Sequence, residues 1–316
     1  MLDVKQLRVL KAVSECGSFS AAAEALSYTQ PAISQQIAAL EKSAGTTLVD
    51  RTSRGVRLTD AGRALVDHAQ VVIARLAAAE AELDAIAGVR GGRVRLASFS
   101  TASASLLPPA LSRFTGRYPD VELSFSDNEP EDSLQMLRAA ELEVAVVFRF
   151  HGLTEQEEER LYGGIELHPI FHDPMYLALP LGHPLAHKPR ARLQEVSDET
   201  WIQEGDPRNA CSRLQKAACR SAGFEPRVGF QSDDYNVVQG LVASGMGVAL
   251  LPSLALANMR EDIVVRSLGK GAPHRNICAA TLAGRYRSPA TEAMLAILAE
   301  VSGTFELPSG TAVAAA

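Results

Sequence analysis

From Asp60 to Ala87 the chain reads as one helix whose apolar positions fall on a heptad. Leu65, Val72, Ala79 and Ile86 recur every seven residues, and Ala69, Leu76 and Leu83 interleave at the second seam position. Alternating steps of four and three, with no charge or proline on the stripe, are the pattern of a coiled-coil seam. At about 1.5 Å per residue such a helix spans roughly 40 Å. Its neighbours are too small to cover it all, so a second copy is the expected partner. Leu65, Val72, Leu76, Leu83 and Ile86 then form the dimer contact. The alternative is a single helix packed on its own domain. This helix also divides the chain. The expected order is a head at residues 1–59, the helix at 60–88, a body at 89–303 and a disordered, Ala-rich tail at 304–316.

The head reads as short helices. Val4, Leu7, Leu10 and Val13 have helical spacing, and Gly17 ends that run. Ser18 caps a second, Ala-rich helix over 20–26. Thr29 is an N-cap for a third, over about 30–43, and Pro31 fits only in its first turn. Ile33, Ile37 and Leu40 share the inner face of that helix, which leaves a polar, Gln-rich outer face. Two short helices joined tightly, the second polar outside, read as a helix-turn-helix. Two extended runs around Ser53-Arg54-Gly55 then read as a hairpin, or wing. The chain as a whole carries a formal net charge of −6, so binding to nucleic acid requires a local basic patch. Between Lys42 and Arg57 lie Lys42, Arg51, Arg54 and Arg57 against the single acid Asp50. A small helical domain with a solvated basic face would carry the same charges.

After the paired glycines Gly91 and Gly92 the pattern changes to strands alternating with helices, the mark of α/β architecture. Strands are expected at 93–98, 121–126, 143–148, 166–172, 175–180, 200–203, 227–231, 248–251, 263–268 and 276–282. Helices are expected at 103–118, 130–140, 209–222, 235–244 and 289–302. The uncharged stretch Tyr235–Met259 is broken by Gly240, Gly245, Gly247 and Pro252, so it reads as a buried helix and strand rather than a membrane span. Cys16, Cys211, Cys219 and Cys278 are too scattered for a disulfide framework. No apolar leader is visible at the start, which points to a cytoplasmic protein.

The resemblance to a family lies in spaced motifs. Gly17-Ser18-Phe19-Ser20-Ala21-Ala22-Ala23, Leu26, Thr29-Gln30-Pro31-Ala32-Ile33-Ser34, Ile37, Leu40-Glu41, Gly45, Leu48, Arg51 and Leu58-Thr59-Asp60-Ala61-Gly62 resemble the winged-helix signature of the LysR-type transcriptional regulators. Leu107-Pro108, Tyr118-Pro119, His183-Pro184-Leu185, Ala222-Gly223-Phe224 and the run Val242 to Pro252 agree with it. Tyr28, Gln35 and Val49 depart from the residues common at those positions. The resemblance implies an α+β multidomain chain: a winged helix-turn-helix, a dimerising linker helix and a two-lobed effector domain similar to periplasmic binding proteins. Lobe I would take 92–164 and 271–302, and lobe II 165–270. The implied partners are promoter DNA, a small-molecule effector, further copies in a homodimer or homotetramer, and RNA polymerase.

A helix N-terminus entering the major groove brings its first residues to base edges. Gln30, Pro31, Ser34 and Gln35 are the candidates, with Thr29 on phosphate and Arg51, Arg54 and Arg57 on the wing. For the effector, hydroxyls crowd the first strand–helix junction at Ser98, Ser100 and Thr101. Backbone N–H groups there favour an anion, although a serine-rich loop also caps its own helix. Asn128, Phe148, Arg149, Glu204, Asp206 and Gln231 fall at other strand ends. Arg149 could clamp an acid, and the carboxylates could hold a cation, so the signs conflict and no effector is named. Cys211 and Cys219 lie where peroxide-sensing family members carry a redox pair. On one helix, however, eight residues separate sulfurs by about 12 Å, beyond disulfide reach. Pro169 and Pro184 break the His168/His172 and His183/His187 pairs as a metal-ligating face. No phosphate loop or nucleophile elbow supports an enzyme, and a solute-binding protein needs no winged helix. No cofactor or metal is expected.

Overall fold

The computed structural model describes residues 2–52, 55–86, 92–149, 153–203 and 210–305. In the head, α1 (Val4–Cys16) starts on the Asp3 carboxylate and stops at Gly17, whose φ of 66° suits a residue without Cβ. Ser18 caps α2 (Phe19–Ala25). Thr29 caps α3 (Gln30–Ala44), its Oγ1 accepting from the Ala32 N–H at 3.4 Å. Leu10, Val13, Ala22, Ile33, Ile37 and Leu40 close one core. The wing is an antiparallel pair, β1 (Val49–Thr52) and β2 (Gly55–Leu58). It is tied down twice. Glu41 Oε1 accepts from the Leu48 and Val49 N–H groups at 2.8 and 3.2 Å, and the Val56 N–H donates to the Gly17 carbonyl at 3.0 Å.

The helix α4 (Asp60–Ile86) is continuous over 27 residues. Thr59 starts it, accepting from the Gly62 N–H and donating to the Thr47 carbonyl. Gly62 must be glycine because a Cβ there would stand 2.0 Å from the Leu48 carbonyl oxygen. The first turns of α4 belong to the head: Val66 and Ala69 are buried and Leu65 packs at their margin. Leu65 is thus half-buried against the head core, where α1 lies against this end of the helix. Further along, Val71, Val72, Leu76 and Leu83 are exposed. The side chain of Ile86 lies outside the described set. Among the described residues, polar contacts between this assembly and the body include Lys11 Nζ to Glu141 Oε1 at 2.6 Å and Arg75 Nη1 to the Gly284 carbonyl at 3.1 Å.

The body begins with β3 (Gly92–Ser98), α5 (Ser100–Ser105), α6 (Leu107–Arg117), β4 (Val121–Asp127), α7 (Pro130–Arg138), β5 (Val144–Arg149) and α8 (Glu155–Tyr162). It continues with β6 (Ile165–Pro180), β7 (Thr200–Gln203), α9 (Ala210–Ser221), β8 (Arg227–Gln231), α10 (Tyr235–Ala243), β9 (Ala249–Pro252), β10 (Ile263–Ser267), β11 (His274–Leu282) and α11 (Pro289–Gly303). One sheet runs β10-β6-β11-β5-β3-β4, with β9 also on β6, while β7 and β8 form a separate parallel pair. Several details differ from the sequence expectation. The helix expected at 103–118 is two helices, because Pro108 and Pro109 lack the N–H groups that would continue the first. The helix α8 was not expected, although Thr154 and Glu157 form a capping box at its start. The chain also stays packed past 303, since the Phe305 ring meets Phe171 edge-on at 5.3 Å.

The strands expected at 166–172 and 175–180 are one strand, β6, and it is the joint of the body. Its residues 165–174 pair with β11, and its residues 175–180 pair with β9 and β10. Residues 165–173, placed in lobe II (165–270) by the sequence, therefore belong to the lobe I sheet. At the crossing, Arg275 of β11 stands opposite Asp173 of β6, both buried. Arg275 Nε and Nη2 donate to Asp173 Oδ2 at 2.8 and 2.6 Å, and Nη2 also donates to Thr101 Oγ1 at 2.9 Å. Asp173 Oδ1 accepts from the Ser253 hydroxyl at 2.7 Å and the Leu254 N–H at 3.1 Å. The Phe99 and Phe148 rings, 4.9 Å apart, each lie 5.1 Å from the guanidinium. Burial alone would lower the Arg275 pKa, but the charge of Asp173 more than offsets it and the pKa is raised. Removing one partner of such a pair costs about 3–5 kcal/mol. Asp173→Asn should lower unfolding stability by that amount in urea titrations followed at Trp201, the single tryptophan. A loss below about 1 kcal/mol would show that the pair does not hold the joint.

Candidate DNA-reading head and effector cleft

The exposed N-terminal end of α3 presents Thr29, Gln30, Pro31 and Gln35, with Ser34 half-buried among them. The inner face is fixed by Ile33, Ile37 and Leu40, so the polar face has one orientation. Arg57 on β2 is exposed and opposite Asp50 on β1. Of Arg51 only the backbone position on β1 is described, and Arg54 lies outside the described residues.

At the carboxyl end of β3, Ser98 is buried and Ser100 exposed. Thr101 is buried, and its hydroxyl accepts from Arg275. The neighbouring hydroxyls serve their own helix. Ser103 Oγ donates to the Phe99 carbonyl at 3.0 Å and Ser105 Oγ to the Thr101 carbonyl at 2.6 Å. Asn128 follows β4: its N–H donates to the Ser98 carbonyl and its Nδ2 to Ser126 Oγ at 2.7 Å. Phe148 joins this group through Phe99. Ser98, Thr101, Asn128 and Phe148 are thus linked at one end of the lobe I sheet.

Arg149 is not part of that group. Successive strand residues face opposite ways. Phe148 packs in the larger core, while its neighbour Val147 faces the cluster beneath α7. Arg149, on the same face as Val147, pairs with Glu158 of α8 at 2.5 Å, and that carboxylate raises its pKa. The acid it clamps is therefore one of its own chain. In lobe II, Gln231 is exposed at the end of β8, in register with Gln203 of β7. Glu204 and Asp206 lie outside the described residues.

Sequence reasoning missed Arg275 and Asp173. Polar neighbours hid them, since Arg275 stands between His274 and Asn276 and Asp173 follows His172, so only the fold shows that these two charges are buried and must pair. It also missed Gln203 and Gln215, which are buried near the joint. Cys211 and Cys219 both lie on α9, an unbroken helix, and all four cysteines are free thiols. Burial, and then the charge of Glu225, push the Cys219 thiol up to about 12, far from the thiolate that exchange chemistry needs. Among the described residues, no group of three or more His, Cys, Asp or Glu side chains is placed to hold a metal ion. None of the described helices is long and apolar enough to cross a membrane. The stretch from Tyr235 to Met259 is instead α10, β9 and the short helical turn Ser253–Asn258.

Comparison with known proteins meets this geometry at both ends of the chain. The family described as bacterial regulatory helix-turn-helix protein, lysR family, matches residues 4–63, and the LysR substrate binding domain matches residues 87–303. The regulator MetR of Escherichia coli K12 is 31% identical over 299 residues, covering 93% of this chain and 89% of its own. The probable regulator LrrA of Synechococcus elongatus is 29% identical, covering 95% and 98%. Among solved structures, full-length OxyR of Pseudomonas aeruginosa superposes with a TM-score of 0.73 at 22% identity, covering 97% of this chain and 99% of that one. CbnR bound to its target DNA gives 0.64 at 22% identity, covering 95% and 100%. The chain belongs to the LysR family: it is a DNA-binding transcriptional regulator with an effector-binding domain.

Proposed function

We propose that Gln30, Pro31, Ser34 and Gln35 read base edges in the major groove while Thr29 and the wing residues Arg51, Arg54 and Arg57 hold the backbone. The observation that carries this reading is the exposed N-terminal turn of α3, fixed from behind by a closed core. A glutamine amide pairs with adenine, and serine tolerates several bases. Dimerisation runs along Val72, Leu76 and Leu83, with Ile86 at the far end. The assembly is a homodimer or, as the family resemblance implies, a homotetramer made of paired dimers. The chain acts in the cytoplasm, with RNA polymerase as its further partner, and performs no catalysis of its own.

The effector in this reading is a small polar metabolite between the lobes. Ser98, Ser100, Thr101, Asn128 and Phe148 line the lobe I side, and Gln231, with Glu204 and Asp206, the lobe II side. Thr101 is the central residue, because its hydroxyl already touches the joint through Arg275. A ligand shifts the regulator only by its differential affinity for two arrangements, so it must engage both lobes.

Three outcomes check this reading. Gln30→Ala should relax preference at one base position by about 1–3 kcal/mol, whereas Arg57→Ala should weaken all sequences alike and flatten the salt dependence in gel shifts. Unchanged preference in Gln30→Ala would show that α3 is not the reading helix. Leu76→Asp puts a charge on the exposed stripe of α4 and should leave a monomer in sedimentation, with tight DNA binding lost. A variant that remains dimeric means the contact lies elsewhere. Thr101→Val keeps the side-chain shape and removes the hydroxyl. It should abolish the effector response of a promoter reporter while the gel-shift affinity stays within about twofold. A normal response in that variant removes Thr101 from the effector site.

A further inference from the structure

Lobe II holds a small, largely enclosed pocket beside the joint. Met175, Gln203, Cys211, Gln215, Tyr235 and Leu250 line it, and its room of about 10 Å³ suits one water-sized group. Two polar atoms on its walls have no hydrogen-bond partner: Gln203 Oε1 and Gln215 Nε2. Both side chains are more than nine-tenths buried, at 2% and 5% exposure. The orientation of the Gln203 amide is set by its neighbour, since Nε2 donates to the Ser212 carbonyl at 3.3 Å and a flip would place two carbonyl oxygens together. The pocket therefore offers one fixed acceptor, Gln203 Oε1, and, in the amide orientation of the structure, one donor, Gln215 Nε2; neither is charged. Buried polar atoms are normally satisfied, so this pair calls for a group that can satisfy both.

Position and charge narrow the class. Gln203 is the last residue of β7, in parallel register with Gln231 of β8. The carboxyl ends of parallel strands are where open α/β sheets take ligands. Arg275 is the cation at the pocket edge, its Nη1 standing 3.8 Å from Cys211 Sγ, and Asp173 already neutralises it. An anion entering here would lose its water without a compensating charge, and would set an oxygen against Gln203 Oε1.

We propose that this pocket is the lobe II end of the effector site and receives an uncharged group that both donates and accepts and is no larger than a water molecule: an alcohol hydroxyl. The group donates to Gln203 Oε1 and accepts from Gln215 Nε2. Only the tip of the effector enters, and the rest stays on the cleft side. This proposal rests on the reading of the interlobe cleft as the effector site.

The test uses three compounds that share one carboxylate and differ at the other end: 4-hydroxybutyrate, succinamate and succinate. Each is titrated into the full-length protein by calorimetry. 4-Hydroxybutyrate should bind at least about tenfold more tightly than succinate, and also more tightly than succinamate, whose three-atom amide head is too large for the pocket. Gln215→Leu, which removes an unpartnered amide and breaks no bond seen in the structure, should abolish that preference. Gln203→Leu should do the same, with thermal unfolding followed at Trp201 showing that both variants fold. Succinate or succinamate binding as tightly as 4-hydroxybutyrate, a preference that survives both leucine variants, or binding by none of the three overturns the proposal. Thr101→Val separates it from the cleft reading. Succinate binding that matches 4-hydroxybutyrate and is lost in Thr101→Val keeps the cleft and removes the neutral pocket. Neutral binding lost in the leucine variants but untouched in Thr101→Val keeps the pocket and removes the Thr101 anchor.

Discussion

The Arg275–Asp173 pair is the constraint around which the body is arranged. Two opposite charges out of water are tolerable only where geometry is good and the remaining hydrogen-bonding capacity is used. Here the partners that use it come from separate parts of the molecule. Thr101 belongs to the first helical turn of lobe I, Ser253 and Leu254 to a turn of lobe II, and the pair itself to the two crossing strands. Cys211, on the first turn of α9, touches the same guanidinium. A displacement of any one of these segments must change the environment of a buried charge. Packed interiors respond to such changes by switching between discrete arrangements rather than deforming smoothly.

The head is connected to this joint through few contacts. The helix α4 gives its first turns to the head core and leaves Val72, Leu76 and Leu83 uncovered further along. Between head and lobe I, Lys11 reaches Glu141 on the turn that leads into β5. The same turn is anchored by Arg95, which donates to the Ala140 carbonyl and to Glu143. Arg75 of α4 donates to Gly284, just after β11, the strand that carries Arg275. The structure thus runs in a short physical sequence from the joint through β11 to the linker helix. The compositional contrast along the chain has the same logic: the local basic residues lie on the head, and the apolar, strand-rich remainder forms the body that senses.

Much of this architecture was legible because it rests on local rules. Thr29 with Pro31 marks the start of α3, Gly17 marks the end of α1, and the heptad stripe marks α4. Legibility failed where distant packing decides. Leu65 has the spacing of the seam and also packs against the head core, and spacing cannot reveal that second contact. The long β6 was split into two strands because Asp173 and Pro174 look like a break. Asp173 stays inside the strand because Arg275, some hundred residues later, neutralises it. In the same way Arg149 and Phe148 are neighbours in sequence but occupy opposite faces of one strand, so only Phe148 reaches the joint. Gln203 and Gln215 carried no signal at all, since a buried amide is recognised only when its surroundings are known.

If the ion pair at the crossing strands holds both lobes together, the backbone there should open only when the whole body opens. Native-state hydrogen exchange resolves this directly, amide by amide. The account predicts that the amides of Met175 and Leu177 on β6 and of Ile277 and Ala279 on β11 exchange at the free energy of global unfolding. It further predicts that core amides of β3 and of β9 share that same free energy. Exchange at the crossing strands that is markedly easier than in β3 and β9, with each lobe protected at its own level, would contradict it.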